Sequence, residues 1–136
     1  MMVNFLMLPC EIAVKSLIPA IKAHIAKELM ETQGLKQEQV AEILGVSQSA
    51  VSKYTRKIRG CVIRVDDIEE IQTTIDKIVS LLMSRNYQRR ELLAFFCQTC
   101  ETIRKTSRMC HLCHKAEPTT KTEQCMFCVA PTTIEK

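Results

Sequence analysis

The segment from Leu35 to Tyr54, LKQEQVAEILGVSQSAVSKY, leaves this chain few ways to fold. Val40, Ile43 and Leu44 fall on one face of a helix over 36–44. Gly45 then supplies a residue that enters the left-handed region without a Cβ penalty, as a sharp helix stop needs. Ser47 offers its hydroxyl as the N-cap of a second short helix, Gln48 to Arg56. Ala41 is small where the two helices cross, and Val40, Leu44, Val46 and Val51 make their shared core. The face left over on the second helix is Gln48, Ser49, Ser52 and Lys53, with Tyr54 beside it.

Those leftover groups donate or accept hydrogen bonds and carry no large apolar bulk, which is what a groove-reading helix requires. The charge that follows has the matching sign. The net charge is only +4, but 51–64 holds Lys53, Arg56, Lys57, Arg59 and Arg64 with no acid. The stretch 65–84 is acidic, and 85–115 is basic again. Basic patches attract nucleic acid through phosphate contacts and counterion release.

On these residues the segment resembles the Xre, or phage-repressor-like, helix-turn-helix family. The preceding LPCEIAVKSLIPAIKAHIAKEL is similar to the N-terminal part of small archaeal predicted regulators of that class, which end in a short Cys-rich segment. The resemblance spans roughly 8–115 and is strongest over 35–60. It implies a DNA-binding domain of four or five helices. Gln37 would open the first helix of the pair, Gln48 would be the first base-reading position, and Ser49 and Ser52 would follow. One departure stands out. Such domains often continue into a Gly-rich turn, whereas here Thr55–Arg59 precedes Gly60.

The rest of the chain reads as helix, so the expected class is all-α. Residues 9–33 give two helical pieces, with Pro19 kinking or restarting the helix and Gly34 stopping it. Asp66 is the expected N-cap of the next helix, with Glu69 three residues on as in a capping box. Along that helix Ile68, Ile71, Ile75, Ile78 and Leu82 recur at steps of three and four. Such a stripe serves either its own domain or a dimer seam. A further helix over 87–96 leads into the cysteines. The expected division is a helix-turn-helix domain over 1–64, a helical connector over 65–96, and a Cys-rich metal-binding module over 97–136.

Eight cysteines are unusual here, and six of them lie between Cys97 and Cys128. Without a visible export signal the expected compartment is the reducing cytoplasm, where clustered pairs point to metal or redox chemistry. Each CxxC lets two thiolates from one tight turn reach one metal, so Cys97, Cys100, Cys110 and Cys113 are the expected four-thiolate site. Zinc suits it, and an Fe–S cluster is the alternative. Cys125 and Cys128 are an additional metal or redox pair, His111 and His114 are spare ligands or surface residues, and Cys10 and Cys61 are expected to be buried packing residues. Arg104, Lys105, Arg108 and Lys115 would favour the thiolates or touch phosphate.

The expected function is a sequence-specific DNA-binding transcription regulator. Gln37, Ser47, Gln48, Ser49, Ser52, Lys53, Tyr54, Arg56, Lys57 and Arg59 would lie at double-stranded DNA, and a homodimer would match two half-sites. The alternative is a metal-binding protein–protein or RNA-associated adaptor. An enzyme is not expected, since no nucleotide loop or acid–base pair is visible. Nor is a membrane span or a small-molecule substrate.

Overall fold

A computed structural model of the chain describes residues 8–116. Cys125 and Cys128 lie outside the described residues, as does the start of the chain. The elements are α1 (Pro9–Ile12), a π-helical stretch (Ala13–Leu17), α2 (Ile18–Glu31), α3 (Gln37–Leu44), α4 (Gln48–Thr55), α5 (Glu69–Ser84), α6 (Arg89–Lys105) and α7 (Cys110–Ala116). No strand occurs among the described residues.

Pro19 explains the opening. It has no N–H to return to the turn before it, and it sits in the first turn of α2. The preceding residues widen into the π-helical stretch instead of breaking, and Ser16 Oγ donates to the Ile12 carbonyl at 2.6 Å.

Helix α2 is the axis of the fold. It packs against α3, α4, α5 and α6, and its Ile21, Ile25 and Leu29 are fully buried. One hydrophobic cluster runs from Ile12 and Leu17 through Val40, Val51 and Ile75 to Ile103 and Met109. It draws on all three stretches into which the sequence divides.

The isoleucine stripe does not form a dimer seam on the surface. Ile68, Ile71, Ile75, Ile78 and Leu82 are all buried within the chain, because α2, α3 and α6 cover that face. Asp66 is also not the helix cap. Ile68 precedes the first helical residue, Glu69, while the Asp66 carboxylate accepts from Arg64 Nε at 2.9 Å. That hydrogen bond holds the Asp66 carboxyl below its ordinary range.

The helix expected over 87–96 runs on to Lys105, straight through Cys97 and Cys100. Helices α5 and α6 make a hairpin across Arg85–Gln88, and Lys77 Nζ lies 5.6 Å over the Phe95 ring.

Candidate nucleic-acid interface

The corner between α3 and α4 is built from backbone bonds a few residues long. Gly45 adopts φ +69°, the Val46 N–H bonds to the Ala41 carbonyl at 3.0 Å, and the Gly45 N–H bonds to that of Glu42 at 3.3 Å. These are the six-to-one and five-to-two bonds of a Schellman turn. At the start of α3 the Gln39 side chain accepts from the Lys36 N–H at 2.9 Å. Ser47 Oγ accepts from the Ala50 N–H at 3.1 Å and so caps α4. Val40 and Val51 are fully buried between the helices, Ala41 is buried at the crossing, and Leu44 and Val46 close the rim half-buried.

With those residues turned inward, Gln48 and Ser49 are exposed at the start of α4, and Ser52 and Lys53 are half-buried behind them. Gln37 Nε2 donates to Thr55 Oγ1 at 3.4 Å, and Thr55 Oγ1 donates to the Ser52 carbonyl at 2.8 Å. Gln37 therefore braces the far end of α4. Thr55 was not expected in this role, because a lone threonine at a helix end carries no signal of its partner. Tyr54 packs against the core, and burial pushes its phenol upward while nearby Arg59 pulls the other way.

The end of α4 is closed by a second turn of the same kind. The Ile58 N–H bonds to the Lys53 carbonyl at 2.9 Å and the Lys57 N–H to that of Tyr54 at 3.2 Å. Lys57 stands at φ +58°, where glycine would be the unstrained choice. Arg56, Lys57 and Arg59 are all exposed around this turn.

Residues 27–60 match the helix-turn-helix family. The match takes in the end of α2, all of the α3–α4 corner and the turn after it. It ends at Gly60, and α5–α7 lie beyond it. The comparisons with curated proteins and with solved structures gave no match.

The cysteines sit differently from the expected site. Both described CxxC pairs lie on helices, Cys97 and Cys100 within α6 and Cys110 and Cys113 within α7, and neither forms a ligand-presenting turn. Among the described residues no three His, Cys, Asp or Glu side chains are grouped to hold a metal ion. The two described pairs are thus not brought together as one four-thiolate centre.

Cys10 and Cys61 are exposed, against the expectation that they pack inside. Cys61 Sγ donates to the Lys57 carbonyl at 3.0 Å. Arg104 Nη1 lies 3.7 Å from Cys10 Sγ. Burial pushes the Cys100 thiol up, partly offset by the same Arg104. Arg108 has protein partners of its own. It donates to Asp67 at 2.7 Å and to the Arg64 carbonyl at 3.2 Å, tying the end of α6 to the loop before α5.

Proposed function

We propose that the chain is a DNA-binding transcription regulator in which α4 enters the major groove. The observation that carries this reading is the helix-turn-helix match together with the residues its corner leaves outside. Gln48 and Ser49 are exposed at the N-terminal end of α4, where a reading helix meets base edges. Arg56, Lys57 and Arg59 are exposed just beyond its C-terminal end and supply phosphate contacts that fix register without reading sequence.

Glutamine is suited to adenine N6 and N7, and each good bidentate pair discriminates by about 1–3 kcal/mol. After an operator has been selected from random duplexes, Gln48→Ala with Ser49→Ala should lose operator preference by about 10- to 100-fold. It should retain weak salt-sensitive binding. Titration by fluorescence anisotropy at two salt concentrations checks this, and unchanged operator preference refutes the assignment of α4. No helix among the described residues is long and apolar enough to cross a membrane.

A further inference from the structure

We propose that the groove between α2 and the 57–66 loop is a binding site for a small organic anion, with its charged head among the loop cations and its apolar body against α2. The cavity measures about 800 Å³, within the range of small-molecule sites. It has a built wall on each side. Gly60, at φ +75°, presses its backbone so closely on α2 that a Cβ there would meet the Pro19 carbonyl oxygen at 2.6 Å and the Ala23 Cβ at 2.7 Å. The loop is thereby pinned to the helix, and the groove exists before any ligand arrives.

The charge in this groove is unbalanced. Of its lining cations, Arg64 is engaged by Asp66, but Lys27, Lys57 and Arg59 form no ion pair with any described residue. Glu31 is the one lining acid not so engaged. Ala23, Met30 and Ile63 give the cavity an apolar side.

A buried histidine ring stands in the groove wall. His24 lines the groove and is only 7% exposed, yet its Nε2 is the one buried side-chain nitrogen or oxygen among the described residues without a hydrogen-bond partner. Buried polar groups are normally paired. That nitrogen lies beneath the groove surface, so the groove presents the ring and not this atom. The half-buried Tyr54 also lines the groove and brings a hydroxyl able to donate.

The site adjoins the end of α4, and it shares Lys57 and Arg59 with the turn proposed to grip DNA. Occupancy and DNA binding therefore compete. That consequence rests on the proposed function, but the binding itself does not.

The test is an NMR titration of the full chain with phenyl phosphate, which has both head and body, and with inorganic phosphate, which has only the head. Phenyl phosphate should bind at least about tenfold tighter and shift the His24 and Tyr54 rings. Lys27→Gln, a surface change on α2 outside the DNA-facing set, should weaken it about tenfold while leaving DNA affinity in the absence of ligand unchanged. Equal affinity for the two probes, shifts confined to Gln48–Lys53, or no saturation by about 10 mM would each overturn the site. A chain that binds phenyl phosphate in this way but not DNA would refute the proposed function and leave the site standing.

Discussion

The α3–α4 corner and the α6–α7 pair are both two-helix units carrying small polar residues at regular spacing, but they are held in different ways. In the corner, the bonds that set the geometry are local. They run from Val46 to Ala41, from Ala50 to Ser47 and from Gln37 to Thr55, with one exposed tie from outside, Arg85 to Glu42 at 3.4 Å. Helices α6 and α7 are fixed from far away. Arg108 reaches Asp67, Arg104 reaches Cys10, and Ile103 and Met109 are anchored in a core whose other members run from Ile12 to Leu82. The first unit carries its shape in its own backbone, and the second borrows its shape from the rest of the chain.

The most severe way to break that contrast is at the residue both units lean on. Ile75 is fully buried on α5, which packs against α2, α3 and α6. Ile75→Asp places an unpaired carboxylate in the core, at a cost of about 4–5 kcal/mol, comparable to the whole stability of many domains. The cooperative thermal transition followed by circular dichroism should be lost. A variant that melts normally but sediments at half the mass would return the isoleucine stripe to a subunit interface.

A smaller change acts on the corner alone. At Gly45 the added methyl of Gly45→Ala meets nothing within 4 Å, so only the left-handed backbone at φ +69° resists it. The expected cost is about 1–2 kcal/mol, read as a lower melting temperature. A neutral outcome would mean the turn adapts and the corner is less self-determined than its bonds indicate.

The turn after α4 allows a test of opposite sign. Lys57 holds the same kind of left-handed position at φ +58° with a Cβ. Lys57→Gly should relieve strain worth about 1 kcal/mol, partly offset by the greater freedom of glycine in the unfolded chain. The protein should melt slightly higher while its DNA affinity falls and the salt slope drops by about one. A loss of both stability and affinity would show that the lysine is held by packing and not strained for function.

How much could be read from the residues follows the same division. Gly45, Ser47 and the valines specify the corner because each acts within one turn of itself, and both helix bounds there agree with the sequence to within a residue. The isoleucine period along α5 identifies a buried face, but a period cannot say what covers it. Only the packing of α2, α3 and α6 decides between core and seam. Asp66 has the composition of a cap, yet Arg64 two residues earlier takes its carboxylate. The CxxC spacing is equally compatible with a ligating turn and with two neighbours on one helical face. Nothing within α6 distinguishes them, because the helix is continued by Thr99 and Ile103, which are buried in the common core. The groove beside His24 had no signal at all, since its walls come from residues more than twenty positions apart.

A comparably small effect separates the two meanings of the cysteines. A structural metal contributes folding free energy outright, with apparent values of about 10–16 kcal/mol for zinc in small fingers. If Cys110 and Cys113 served such a centre, Cys110→Ser with Cys113→Ser would unfold the end of the chain, and a chelator would do the same to the parent protein. On α7 both thiols are half-buried, and Cys113 packs against the core as a small hydrophobe. Serine there exchanges a weakly polar sulfur for a hydroxyl, so the pair should lower stability by about 1 kcal/mol, with no response of the parent to chelation. Thermal melts with and without chelator, alongside elemental analysis of protein purified under anaerobic conditions, read both quantities at once. A stoichiometric metal with a steep chelator-induced loss of stability would mean that α6 and α7 are shaped by an ion. The contrast with the corner would then be one between a turn that closes on its own backbone and a turn closed by a ligand.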